Sequence, residues 1–127
     1  MGIFDEIAHV ALIVHNYRQA KAFYVDTLGF SVIRENYREH ESDWKLDLSS
    51  GNCELEIFGK SDVPERPGGP ELCGYRHLAF RVADVNKAIE KLAERGVVCD
   101  PVRIDAYTHN GLTFLRDPEG NVIELHE

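Results

Sequence analysis

The sequence predicts an α+β fold of two tandem β-α-β-β-β modules, each a curved mixed sheet with its helix on one face. Three observations point there. The run IAHVALIV (residues 7–14) returns as YRHLAFRV (75–82), with a histidine in third place, an alanine two later and a valine at the end. Each run is followed by a capped stretch of helical period, and each such stretch by three further strand-like runs. Between the copies lies GKSDVPERPGGPELCG (59–74), whose three prolines and four glycines exclude a regular element. Module one is thus expected over 5–58, the linker over 59–74 and module two over 75–127, within a single domain of residues 1–127.

Taken in order, the first strand covers 7–14. Asn16 then offers an N-cap, with Gln19 placed for a capping box. Tyr17, Ala20, Tyr24 and Leu28 follow the helical period, and Gly29 is a natural stop. Strands are expected at 30–37, 43–49 and 52–58. The second copy repeats this plan. After the strand at 75–82, Asp84 is the cap, Val85, Ala88, Ile89 and Leu92 form the apolar stripe, and Gly96 ends it. Strands at 97–103, 111–116 and 121–126 complete module two.

Composition narrows the function. A net charge of −8 argues against nucleic acid or an anionic membrane as partner. No apolar run is long enough to cross a bilayer, and MGIFDEIAHV lacks a basic region followed by an apolar one, so a cytoplasmic protein is expected. Three cysteines without paired spacing (Cys53, Cys73, Cys99) fit reduced thiols better than a disulfide framework or structural zinc.

The repeat also preserves polar residues. Glu56 follows His9 by 47 positions, and Glu124 follows His77 by the same 47. Strand alternation sorts the faces. Val10, Leu12 and Val14, with Leu55 and Ile57, belong under the first helix; Leu78, Phe80 and Val82, with Ile123 and Leu125, belong under the second. His9, Glu56, His77 and Glu124 then all fall on the helix-free concave face, where Ala11 and Ala79 leave room. Two imidazoles and two carboxylates on one surface suit a divalent metal such as Zn, Ni, Co, Mn or Fe(II), and four protein ligands in an octahedral shell leave two open positions. Glu54 and His126 share this face and are expected to support the ligands or to be solvated. His15, His40 and His109 are expected at the surface.

Along nearly the whole chain, HVALIV, AKAFYVDTLGF, ELEIF, RHLAFRV and LRDPEGNVIEL resemble the vicinal oxygen chelate superfamily, and within it glyoxalase I (lactoylglutathione lyase). YRE, DWK, PERP, CGYRHLAF and RIDAYT look like its small bacterial YaeR-type branch. The resemblance implies metal ligation by His9, Glu56, His77 and Glu124, and a homodimer in which one subunit's N-terminal module meets the other's C-terminal module around the metal. The implied chemistry is a proton transfer through a metal-stabilised enediolate on a hemithioacetal, with Glu124 as the base. Two positions depart from glyoxalase I: Ile13 stands where an arginine binds a glutathione carboxylate, and Lys60 where an asparagine is usual. Arg81, four residues after His77, offers a replacement charge for substrate. The same fold also serves epimerases of acyl-CoA thioesters, which often carry glutamine at the Glu56 position, and metal-free small-molecule binders, which lose the ligands. Extradiol dioxygenases and fosfomycin-type transferases use three protein ligands rather than four.

Overall fold

The structure, a computed structural model, describes residues 2–68 and 71–127; positions 1, 69 and 70, the last two within the expected linker, lie outside it. The chain forms two compact units, one ending at Pro64 and the other starting at Glu65. Each holds one four-stranded mixed sheet, so the fold is of the α+β class the repeat predicts.

Unit one contains β1 (His9–Val14), α1 (Tyr17–Lys21), a π-helical segment (Ala22–Thr27), β2 (Ser31–Arg38), β3 (Asp43–Ser49) and β4 (Glu54–Gly59). The strand order is β1-β4-β3-β2, with β1 parallel to β4 and the other neighbours antiparallel. Asn16 caps α1 as expected, its Oδ1 accepting the Gln19 N–H at 3.0 Å. The helix does not stay regular. After Lys21 it widens by one residue per turn, with the Leu28 N–H donating to the Phe23 carbonyl, and the adjacent Phe23 and Tyr24 are both buried. Gly29 ends it at φ +83°, a left-handed backbone that glycine adopts without steric cost. Leu46 faces Ile57 and Leu48 faces Leu55 across β3 and β4, and all four are buried with Val14 and Ala20. Each of the leucine, isoleucine and valine side chains contributes about 1.5–3 kcal/mol by leaving water.

Unit two contains β5 (Leu78–Arg81), α2 (Val85–Glu94), β6 (Arg103–Ile104), β7 (Gly111–Arg116) and β8 (Val122–His126), ordered β5-β8-β7-β6. Asp84 caps α2 by accepting the Lys87 N–H at 3.0 Å. The carboxylate of Glu127 accepts the N–H groups of Val85 and Gly111, both at 2.9 Å, tying the start of α2 to the start of β7. Val85, Leu92, Leu115, Ile123 and Leu125 are buried.

Some boundaries differ from expectation, for physical reasons. The strand expected at 97–103 pairs only at Arg103 and Ile104. Pro101 has no N–H to give the ladder, and the segment before it is held by single bonds, Asp100 N–H to the Phe114 carbonyl at 2.8 Å and Thr113 Oγ1 to the Asp100 carbonyl at 2.6 Å. β4 starts at Glu54 because Ser50 and Cys53 close a turn ahead of it. β5 starts at Leu78, so His77 stands one residue before the paired strand. Between Gly59 and Leu78 the described residues form no helix or strand.

Candidate metal centre

In each unit a parallel strand pair sets the geometry. Ala11 lies opposite Glu56 across β1 and β4, and Ala79 lies opposite Glu124 across β5 and β8. The histidine stands two residues before the alanine in both copies, on the same face by alternation. Because the alanine projects little, imidazole and carboxylate meet diagonally over it. His9 Nε2 is 3.1 Å from Glu56 Oε2, and His77 Nε2 is 3.7 Å from Glu124 Oε1. Both carboxylates are partly buried. Glu54, the direct cross-strand neighbour of His9, is 3.5 Å from Arg34 Nη2.

These separations bear on what the pairs can hold. Two donors each about 2.0–2.2 Å from one ion stand about 3.0 Å apart at a right angle and about 3.4 Å apart at the tetrahedral angle. The His9–Glu56 pair matches the first, and the His77–Glu124 pair is slightly wider than the second. Imidazole nitrogen with carboxylate oxygen is also the donor chemistry of Zn, Ni, Co, Mn and Fe(II). The residues therefore fit such an ion. Among the described residues no group of three or more His, Cys, Asp or Glu side chains gathers as a ligand set; the donors stand as one pair per unit.

The two pairs have different surroundings. In unit one, Lys45 Nζ lies 2.8 Å from Glu56 Oε1 and 2.7 Å from Asp47 Oδ1. Asp47 is only 1% exposed, and Arg34 Nε lies 2.6 Å from its Oδ2. That contact compensates the charge without hydrogen-bond alignment, leaving Oδ2 formally unbonded. Bonds to Asp47 and then Glu56 raise the Lys45 pKa, keeping it an ammonium. In unit two the strand residue opposite Glu124 is Phe114. Its ring meets His77 edge-on at 5.5 Å and carries the Arg103 guanidinium 5.3 Å from its centre.

The other expected site residues are placed as follows. Arg81 donates to the Glu127 carbonyl at 2.5 Å. Ile13 is 54% exposed, on the face of His9. Lys60 Nζ lies 2.7 Å from Asp43 Oδ2, and Arg38 grips the same carboxylate through Nε at 2.7 Å and Nη2 at 2.6 Å. Arg38 first and Lys60 second, against the opposing effect of burial, hold the Asp43 carboxyl down at about 2. His126 has Nδ1 2.7 Å from the Glu127 carbonyl and Nε2 3.4 Å from Asp105 Oδ2; these acceptors raise its pKa, the carbonyl most. Asp105 is held at about 2 by the Thr108 and Tyr107 N–H groups and then by His126. His15 lies against the Val63 carbonyl at 2.5 Å, while His40 and His109 are exposed. Lys45 and Asp47 were not among the residues the sequence singled out. Their alternation in WKLDLS placed them on Glu56's face, but the contact needs the β3–β4 register to be seen.

Comparison with known proteins agrees with this architecture. The family model for the glyoxalase/bleomycin resistance protein/dioxygenase superfamily matches residues 6–125. YwkD of Bacillus subtilis (strain 168) is 44% identical, covering 98% of either chain, and YaeR of Escherichia coli (strain K12) is 44% identical, covering 96% of this chain and 95% of YaeR. A glyoxalase family protein from Enterococcus faecalis superposes with a TM-score of 0.92 at 48% identity, over 99% of this chain and 100% of the other. TnmS3, an antibiotic binding protein from Streptomyces sp. CB03234, superposes at 0.77 with 26% identity, over 99% of this chain and 98% of its own. Lactoylglutathione lyase from Agrobacterium tumefaciens shares the fold alone, with a TM-score of 0.75 at 19% identity over 99% of this chain and 96% of its own. With a repeated βαβββ plan, a matched His–Glu pair in each module and a family model spanning nearly its full length, the chain belongs to the glyoxalase/bleomycin resistance protein/dioxygenase superfamily.

Proposed function

We propose that the chain is a metal-dependent lyase of glyoxalase I type, moving a proton between neighbouring carbons of a hemithioacetal-type substrate. The observation that carries this reading is the His–Glu pair, repeated at the same register in both modules at 3.1 and 3.7 Å, each near the separation of two donors on a cation. His9, Glu56, His77 and Glu124 would together hold a divalent cation (Zn, Ni, Co, Mn or Fe), within a homodimer. When bound, such a cation supplies positive charge to two vicinal substrate oxygens and to the anion that develops on proton loss.

The chain's own groups do the rest. Glu124 takes the carbon-bound proton and returns it to the adjacent carbon. Phe114 gives that carboxylate an apolar cross-strand neighbour, while Arg81, opposite His126 on β5, puts a cation on the same strand face. Ile13 presents a hydrocarbon where glyoxalase I has an arginine, and Lys60 is already engaged by Asp43. A glutathione carboxylate left without its cationic partner loses about 2–5 kcal/mol. We therefore expect a thiol adduct other than that of glutathione to be preferred. The free thiols Cys53, Cys73 and Cys99 fit a cytoplasmic setting, and no described helix is long and apolar enough to cross a membrane.

The likeness to TnmS3 favours a second reading, a small-molecule binding protein without chemistry. A panel of thiol hemithioacetals and acyl-CoA epimers, assayed with zinc, nickel, cobalt and manganese, separates the readings. Turnover of a hemithioacetal supports the lyase. Turnover confined to an acyl-CoA makes the chain an epimerase, and tight binding without metal or turnover makes it a binder. Efficient use of the glutathione adduct would overturn the argument from Ile13 and Lys60.

A further inference from the structure

The two candidate half-sites are related by the internal repeat, yet their supporting residues are not. On β3, Asp47 stands opposite Glu56 and Lys45 stands opposite Phe58. The equivalent positions on β7, opposite Glu124 and opposite His126, are Phe114 and Leu112. A carboxylate and an ammonium in module one thus become two apolar side chains in module two. The consequence for each glutamate is different. Glu56 has its oxygens assigned to separate partners, Oε1 to Lys45 at 2.8 Å and Oε2 to His9 at 3.1 Å. Lys45 is itself fixed, because its other contact at 2.7 Å is to Asp47, which is buried and gripped from the far side by Arg34. Glu124 meets His77 at 3.7 Å and faces a phenyl ring.

We propose that Lys45, anchored by Asp47, is a positioning residue that holds Glu56 as a one-oxygen metal ligand, a restraint that the Glu124 base assigned above does not share. The proposal rests on the metal-dependent reading above. With Oε1 engaged, only Oε2 remains to face a cation on the His9 side. The lock brings no net charge toward that cation, since the Lys45 and Arg34 cations are matched by the Asp47 and Glu54 carboxylates. It lowers the cost of ordering Glu56, because the side chain is held before the ion arrives. Among the described residues of module two no lysine or arginine is paired with Glu124, and a carboxylate that must leave a ligand position to act as a base gains from that freedom.

The test is cation binding by the full chain, read without substrate. Zinc affinity is measured by competition with a chromogenic chelator, and the ligand field by the visible absorption of the cobalt(II) form, for wild type, Lys45→Met and Lys45→Arg. Lys45→Met should weaken zinc binding by about 10–100-fold, as loss of a residue that orients a ligand does. It should also alter the cobalt spectrum as Glu56 gains the freedom to bind through both oxygens. Lys45→Arg, still able to donate to both carboxylates, should restore most of the affinity and the wild-type spectrum. If Lys45→Met does not fold, Lys45→Gln is measured in its place with the same expectation. Wild-type affinity and spectrum in Lys45→Met or Lys45→Gln would overturn the positioning role while leaving the metal site standing. A wild-type chain that binds neither zinc nor cobalt would overturn both.

Discussion

Replacing Gly59 by alanine tests how the strand that carries Glu56 is seated. Gly59 ends β4, three residues after Glu56, and lies opposite Trp44. A Cβ built there would stand 2.8 Å from Tyr17 Cβ, 3.0 Å from Cδ2 and 3.2 Å from Cγ. Carbon atoms rest about 3.5–4.0 Å apart, so the nearest contact is short by about 0.7 Å or more. Tyr17 cannot swing clear. Its clashing Cβ is fixed to the first residue of α1, its ring stacks on Trp44 at 5.3 Å, and its hydroxyl donates to Glu35. The start of α1 must therefore lift from the sheet or the end of β4 must tilt. Overpacking of this kind costs about 1–3 kcal/mol. The chain's single tryptophan is Trp44, inside the affected stack, so urea unfolding followed by its fluorescence reads the change directly. The midpoint should fall with the slope unchanged. A loss below about 0.5 kcal/mol, the range of a neutral surface substitution, would refute this packing.

Stability should also depend on acid. Asp43 and Asp105 each have folded pKa values near 2, below the ordinary carboxylate value of 3.8. A carboxyl depressed on folding adds stability that is complete above its unfolded pKa and is lost as pH falls toward the folded one. Unfolding midpoints should therefore hold above about pH 5 and decline toward pH 2, and Asp43→Asn should flatten the decline. In catalysis, Glu124→Gln keeps shape and one oxygen donor but removes the base. It should retain most of its metal while turnover falls by about 10²–10⁴-fold; turnover equal to wild type would take Glu124 out of the mechanism.

Much of this was legible from residue order alone because strand faces alternate. Period two was enough to put His9 with Glu56 and His77 with Glu124, and to bury Leu55, Ile57, Ile123 and Leu125 on the opposite face. Caps at Asn16 and Asp84 were equally readable, since their side chains act within three residues of sequence. What escaped depends on partners distant in the chain. Lys45 became visible as a support of Glu56 only through the β3–β4 register, and Lys60 as spent only through Asp43. The shortening of β6 follows from Pro101, whose missing N–H outweighed the strand-like pattern around it. The widened turn after Lys21 has no signal in the helical period that preceded it.

Divalent metal per chain, measured by elemental analysis of protein purified without added metal, tests the central claim most directly when wild type is compared with His9→Ala and His77→Ala. Each variant removes a nitrogen donor from a different module, and one site fed by both modules should lose metal sharply in either. Wild-type metal content in both variants would contradict the assignment of His9, Glu56, His77 and Glu124 as the ligands of a single cation.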